Sequence, residues 1–119
     1  MAFFQELGHD VDVLLRPLLD YLAVATGEVA SGWRDWRIET IHGGTNNRLY
    51  RTTNPFGSFV VKFTIRDSRN RAGREYNALL ALQQVAPSIA PRPVFLDTDS
   101  YAQPVVVQTW LEGAVSTTP

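Results

Sequence analysis

The sequence predicts an α+β fold, a five-stranded antiparallel sheet with one helix packed on it and a further helix at the amino terminus. Leucines near the start of the chain recur at three- and four-residue steps, as they do along the apolar face of a helix. Later segments alternate apolar and polar residues between clusters of glycine, proline and asparagine, as strands do between turns. The resulting order is one helix, three strands, one helix and two strands, which is typical of an antiparallel sheet with a helix laid on it.

The first helix is predicted over residues 10–25. Pro17 lies too deep in this segment for the first turn, so we expect a kink or a late start there. Gly27 is suited to end the helix, and residues 32–36 have the composition of a connection. The apolar face of this helix consists of Leu14, Leu15, Leu18, Leu19 and Leu22.

Three strands are predicted next, over residues 36–42, 48–53 and 58–65. The third has the strongest pattern, because its odd positions from 59 to 65 are all apolar and should form one buried face. A second helix is predicted over residues 68–85, and the prolines that follow forbid its continuation. Two short strands, at residues 94–96 and 104–110, complete the sheet.

Composition limits the function classes. The 119 residues fit a single domain, and the net charge of −1 gives no electrostatic case for binding nucleic acid or an anionic membrane. The chain has no cysteine, which excludes disulfides and thiol chemistry. No apolar run is long enough to span a bilayer, and the amino terminus lacks the basic cluster of a signal peptide. We therefore expect a cytoplasmic protein without membrane partners.

A pair of glycines, Gly43 and Gly44, opens a loop between the first two predicted strands. Adjacent glycines let the backbone approach a ligand closely, and their N–H groups can face phosphate oxygens. The same pattern also fits an ordinary hairpin turn, so the loop alone leaves both interpretations open.

Lys62 lies in the middle of the strongest strand, where a lysine must reach water, pair with a carboxylate or bind an anion. A helical wheel places Glu75 on the same arc as Leu79 and Leu82, and a buried carboxylate is costly unless it is paired. Because Lys62 is the single lysine of the chain, we predict that it pairs with Glu75. The alternatives are an edge strand with Lys62 in water, and a Glu75 that turns to the solvated edge of its helix.

The order of glycine loop, strand lysine and helix glutamate is one that proteins use to hold nucleotide phosphates. No Gly-Lys-Ser/Thr follows the glycines, so the loop is not a Walker loop, and no GxGxxG opens a helix. Five motifs in order resemble the aminoglycoside phosphotransferase and choline kinase group, small-molecule phosphotransferases with a protein-kinase-like fold. The matching residues are Gly43, Gly44, Asn47 and Tyr50 in the loop, Val60, Val61 and Lys62 in the strand, Arg74, Glu75, Ala78, Leu79 and Leu80 in the helix, the proline-bounded segment 90–94, and the segment 105–113 that ends at a glycine.

The resemblance implies an ATP-binding amino-terminal lobe over residues 36–113, with a helical extension at 1–35 and the start of an interlobe linker at 114–119. Lys62 would contact the α- and β-phosphates, and Glu75 would hold Lys62. Val60 would form part of the ceiling over the adenine, and Gln108 would occupy the gatekeeper position. The backbone of Thr109 and Leu111 would form hydrogen bonds to the adenine edge. The loop that would cover the phosphates consists of Gly43, Gly44, Thr45, Asn46 and Asn47.

Members of that group continue into a helical lobe that carries a His-Gly-Asp type catalytic loop and an aspartate for magnesium. No His-Gly-Asp occurs in this sequence, so the base and the metal ligands of that lobe are not expected in it. The resemblance therefore implies a truncated enzyme or an isolated domain that does not transfer phosphate alone. The second lobe would bind most of the Mg²⁺ and the hydroxyl-bearing small-molecule acceptor. The sequence leaves the acceptor, and ATP against GTP, undecided.

The alternative is a non-catalytic α+β interaction module. It rests on the short length and on the apolar strand at residues 104–110, which would be uncovered without a second lobe. Two copies of the chain could then pair through this strand as a homodimer. Trp110 lies in the segment that would form the hinge, and the sequence leaves open whether it borders the adenine or packs on the sheet edge. Trp33 and Trp36 are expected at a packed helix–sheet junction.

Overall fold

The computed structural model describes residues 11–25, 29–41, 48–67, 69–88 and 90–110, and it confirms the α+β class. Six strands form the sheet in that part of the chain, so the prediction of five was wrong. The elements in chain order are α1 (Val11–Val24), β1 (Gly32–Trp33), β2 (Trp36–Ile41), β3 (Arg48–Asn54), β4 (Gly57–Phe63), α2 (Arg71–Val85), β5 (Pro93–Asp97) and β6 (Val105–Thr109).

The additional strand, β1, lies where the sequence predicted only a connection. Arg34 adopts a positive φ of 54°, and the chain reverses so tightly that Trp33 pairs with Trp36. Arginine rarely adopts this left-handed conformation, and the usual turn residues glycine and asparagine are missing there. The composition of the segment therefore gave no sign of a hairpin.

The sheet has the order β1-β2-β3-β4-β6-β5, and all its neighbouring strands are antiparallel. β4 lies between β3 and β6, in the interior of the sheet. This position rules out the alternative in which Lys62 belongs to an edge strand. It also means that each side chain of β4 has a neighbour on both sides.

Helix α1 covers one face of the sheet. Its four inward leucines are completely buried, and they pack against the odd-numbered side chains of β4, as the leucine and strand patterns predicted. The helix continues through Pro17, so the expected late start was wrong. The residues of this core are Leu15, Leu18, Leu19, Leu22, Trp36, Ile38, Tyr50, Phe59, Val61, Phe63, Val105 and Val107.

Helix α2 covers part of the opposite face and contacts β5 and β6. It begins at Arg71, three residues later than predicted, because Asn70 takes the left-handed conformation with φ of 51°. Its buried stripe is narrower than the wheel predicted: Leu79 is buried, whereas Leu82 is 44% exposed.

The last strand, β6, is also better covered than expected. Val105, Val106 and Val107 are at most 1% exposed, because β6 runs between β4 and β5 with a helix on each face of the sheet. The prediction of an uncovered apolar strand at residues 104–110 was therefore wrong for its central part. Neither helix in the described ranges has the length and apolar character that crossing a bilayer requires.

Candidate functional site

An ion pair links the middle of the sheet to α2. The Lys62 Nζ atom donates a hydrogen bond of 2.8 Å to Oε1 of Glu75, so the predicted pairing is confirmed. The side chain of Lys62 is 24% exposed and that of Glu75 is 30% exposed. Both charged groups thus lie at the boundary between the sheet–helix interface and the solvent.

The neighbours of Lys62 explain why it takes a partner. Leu49 of β3 and Val106 of β6 are directly opposite Lys62, and opposite residues of adjacent strands share one face of the sheet. Apolar walls on both sides leave the ammonium group poorly solvated, so pairing with a carboxylate is favoured. One N–H of the ammonium donates to Glu75, and the group has three donors. The carboxylate therefore fixes a cation that can also contact an external anion.

Two further predicted site residues lie on the same face, one row along the sheet. Val60 is opposite Arg51 of β3 and Gln108 of β6, and because Val60 and Lys62 are two residues apart they point to the same side. Val60 is buried, and Gln108 is partly buried. The fold thus brings Val60, Lys62 and Gln108 together with Glu75 of the helix.

The predicted backbone contact at Thr109 is restricted by its neighbours. The Thr109 N–H donates to the Arg92 carbonyl at 2.9 Å, and the Arg92 N–H donates to the Thr109 hydroxyl at 2.8 Å. Because the N–H of Thr109 is bonded to the chain entering β5, its carbonyl is the backbone group to consider for a ligand.

The remaining predicted residues lie outside the described part of the chain. They are Gly43, Gly44, Thr45, Asn46, Asn47 and Leu111. The strands that flank the loop are described, however. Ile41 of β2 pairs with Leu49 of β3, and Leu49 in turn pairs with Lys62. Ile41 and Leu49, which precede and follow that part of the sequence, therefore lie in the row that contains Lys62.

The family is decided by a direct comparison. A family model described as the phosphotransferase enzyme family matches residues 37–119. The chain belongs to the phosphotransferase enzyme family. The match confirms the resemblance to the aminoglycoside phosphotransferase and choline kinase group that the five motifs carried. It begins in β2 and includes every predicted site residue, whereas α1 and β1 precede it. A search of the curated proteins gave no match.

Sequence reasoning missed one contact that ties this phosphotransferase-family site to α1. Arg48, the residue after the loop, donates hydrogen bonds to the carbonyls of Leu22 and Ala25 at 3.0 and 3.2 Å. Its Nε donates to Gln103 at 2.9 Å, and its guanidinium lies 4.5 Å from the centre of the Phe63 ring. The carboxyl end of α1 is thereby fixed to the strand that leaves the loop. The Ala25 and Gln103 partners are 23 and 55 residues away in the sequence, so no local pattern could reveal these bonds.

A second unpredicted contact concerns Trp110. The Arg51 guanidinium lies 4.2 Å from the centre of the Trp110 ring, and Arg51 Nη1 is 3.9 Å from Glu39. The other tryptophans pack as expected: Trp36 is buried against Phe59, and Trp33 stacks on Tyr21 of α1. The sequence offered two signals for the Arg51–Trp110 contact: a basic residue in a strand, and an aromatic residue directly after the last strand.

The strongest electrostatic perturbations lie on the α1 side, away from Lys62. Burial acts to raise the pKa of Asp97, but hydrogen bonds from Ser100, Arg16 and the Asp99 N–H outweigh it and hold that pKa well below its usual range. Burial, and then the hydrogen bond to Asp20, raise the pKa of Tyr101 to about 12. This polar cluster joins α1 to the turn after β5. Among the described residues, no group of three or more acidic or histidine side chains could hold a metal ion.

Proposed function

We propose that this chain is the ATP-binding amino-terminal lobe of a small-molecule phosphotransferase. The observation that carries the proposal is the 2.8 Å ion pair between Lys62 of the central strand and Glu75 of α2, in a chain of the phosphotransferase enzyme family. A lysine held in this way presents a fixed positive charge to the α- and β-phosphates of a nucleotide, and phosphoryl transfer depends mainly on such positioning and charge neutralisation.

The proposal assigns the base and the phosphates to neighbouring rows of the sheet. Val60 would form the ceiling over the adenine, and Gln108 would occupy the gatekeeper position. The Thr109 carbonyl and the Leu111 backbone would form hydrogen bonds to the edge of the adenine. Residues 43–47 would enclose the phosphates beside Lys62. Residues 36–113 form the lobe in this assignment, preceded by a helical extension at 1–35 and followed by the start of a linker at 114–119.

The acceptor and most of the metal site belong to the second lobe that members of this family carry. We therefore propose that these 119 residues bind Mg·ATP without transferring its phosphate, and that the complete cytoplasmic enzyme phosphorylates a hydroxyl group of a small molecule. Mg²⁺, when bound with ATP, would offset the phosphate charge together with Lys62. We do not retain the dimerisation module as a second function, because the central residues of the strand that it would use are buried within the chain.

The direct test is a titration of Mg·ATP into isotope-labelled protein, followed through backbone amide shifts. We expect millimolar affinity, with shifts confined to residues 43–47, Lys62 and residues 109–111. Lys62→Ala should weaken binding by about tenfold or more, since a charged hydrogen bond contributes roughly 1.5–3 kcal/mol. Glu75→Gln should weaken it less, because the ammonium keeps its charge but loses its fixed position.

Arg37→Ala is the matched control, because Arg37 is an exposed cation of β2, two strands away from Lys62 in the same sheet, and its loss changes the net charge equally. Its affinity for Mg·ATP should stay within about twofold of the unchanged protein. Equal weakening by Lys62→Ala and Arg37→Ala would reduce the effect to general electrostatics and would refute the assigned site. Absence of shifts at several millimolar Mg·ATP would refute nucleotide binding by this chain.

A further inference from the structure

Arg51 and Trp110 come from the two strands on either side of β4, and their side chains meet. Arg51 belongs to β3, and Trp110 follows directly after β6, where its N–H donates to the Ser58 carbonyl at 3.0 Å. The guanidinium carbon lies 4.2 Å from the centre of the indole ring. Because neighbouring strands are about 4.8 Å apart, the two side chains together span roughly 10 Å across β4.

The register tells which face of β4 they cross. Arg51 is directly opposite Val60, and the Trp110–Ser58 bond continues the register in which Val60 is opposite Gln108. Directly opposite residues point to the same side of a sheet. Arg51, Val60 and Trp110 therefore share the face that carries Lys62. Val60 is only 8% exposed on that face, although α2 makes its main contacts with β5 and β6.

We infer that the Arg51–Trp110 pair is a latch over the base-binding surface, and that it must separate before the base of a purine nucleotide can contact Val60. This inference rests on the proposed function, because it takes Val60 as the ceiling of the base site. The latch is held by a contact between a cation and an aromatic face, and Glu39, 3.9 Å from Arg51, adds a weaker attraction. The closed latch lowers the apparent affinity for the nucleotide, because only the open fraction of the protein can bind.

The inference predicts an unusual sign for a mutation. Removing a cation near a nucleotide site ordinarily weakens the binding of a polyanion. Arg51→Ala should instead strengthen the binding of Mg·ATP by about three- to fivefold, because it removes the group that competes for the base surface. Binding of inorganic tripolyphosphate, which has no base, should be unchanged or slightly weakened.

The experiment measures the affinities of Mg·ATP and tripolyphosphate for the unchanged protein and for five variants. Arg51→Ala and Trp110→Leu each open the latch from one side, and their double variant should gain no more than either alone, because both remove the same contact. Arg37→Ala is the control for charge on the same face, and it should leave both affinities within about twofold. Arg51→Lys keeps the charge without the planar stack, so its gain for Mg·ATP should be smaller; it takes the place of Arg51→Ala if that protein does not fold.

The outcomes separate the latch from the proposed function. Stronger binding of Mg·ATP by Arg51→Ala with no gain for tripolyphosphate supports the latch. If Mg·ATP binds in a Lys62-dependent manner but Arg51→Ala weakens binding or leaves it unchanged, the latch is refuted and the nucleotide site stands. Equal gains for both probes also refute it, since the effect would not involve the base. If no variant binds Mg·ATP, both the site and the latch are refuted.

Discussion

Replacing Arg48 by alanine should destabilise the whole domain, although Arg48 is a partly buried residue at the end of a loop. The variant loses the hydrogen bonds to the Leu22 and Ala25 carbonyls, the bond to Gln103 and the contact with the Phe63 ring. These contacts join three distant segments: the end of α1, the start of β3 and Gln103, two residues before β6. Their loss therefore affects the attachment of α1 to the sheet.

The magnitude follows from the type of contact. A hydrogen bond that involves a charged group contributes about 1.5–3 kcal/mol, and a cation at a helix carboxyl end contributes up to roughly 2 kcal/mol. The two figures overlap, because the same guanidinium provides both, and water can solvate part of the freed carbonyl groups. We therefore expect a loss of about 2–3 kcal/mol in the free energy of unfolding. A domain of this size is typically stable by roughly 5–15 kcal/mol, so the variant should still fold.

Urea denaturation followed by far-ultraviolet circular dichroism measures this loss. The midpoint should fall by about 1–2 M urea with an unchanged slope. Arg48→Lys should recover less than half of the loss, because the single nitrogen of an ammonium group cannot reach both the Gln103 side chain and the α1 carbonyls, which separate nitrogens of the guanidinium contact. Exposed Arg37→Ala is the control and should remain within about 0.5 kcal/mol. An unchanged midpoint for Arg48→Ala, or full recovery by lysine, would refute the argument that the guanidinium fixes α1.

Two further predictions test the α1 side of the sheet. Because its pKa is lowered in the folded state, Asp97 should contribute stability that is complete above the ordinary aspartate pKa of about 3.9 and is lost as the pH falls toward the lowered value. Asp97→Asn should therefore lower the free energy of unfolding near pH 7 and flatten the acid limb of its pH dependence. A curve parallel to that of the unchanged protein would contradict the assigned linkage. Leu18→Ala should lower the free energy of unfolding by about 3 kcal/mol in urea denaturation, because Leu18 is completely buried. The control is Val13→Ala, at a side chain that is 72% exposed on the same helix. Equal effects of the two variants would contradict the packing of α1.

The parts of the fold that could be predicted are those with a strong local period. The leucine spacing of α1 and the alternation in β4 each define one apolar face, and these two faces pack together in the core. The Lys62–Glu75 pair could also be predicted, because the sequence has a single lysine and the helical period places Glu75 beside Leu79. In each case one physical requirement, burial or charge pairing, leaves few alternatives.

The parts that could not be predicted depend on contacts between distant segments or on unusual backbone geometry. β1 exists because Arg34 adopts a left-handed conformation, which arginine rarely takes. Leu82 belongs to an apolar stripe on the wheel, but α2 makes its main contacts with β5 and β6, at one side of the sheet, and that part of the stripe is exposed. Arg48 and Arg51 have an ordinary appearance in the sequence, because their partners are defined only after the sheet has formed.

Arg48 and Arg51 both connect β3 to other parts of the fold, and the limits of the family match show what these connections join. The match begins at residue 37, so it excludes α1, yet α1 supplies the leucines that bury the back of the central strand. Arg48 connects that helix to the strand leaving the glycine-rich loop, while Arg51, three residues later on the same strand, reaches the segment after β6 on the face that carries Lys62. β3 therefore carries both the support of the proposed phosphate loop and the latch over the proposed base surface. A change in the packing of α1 would be transmitted first to Arg48 and the loop, so nucleotide affinity should respond to α1 substitutions that leave every proposed ligand-contacting residue unchanged.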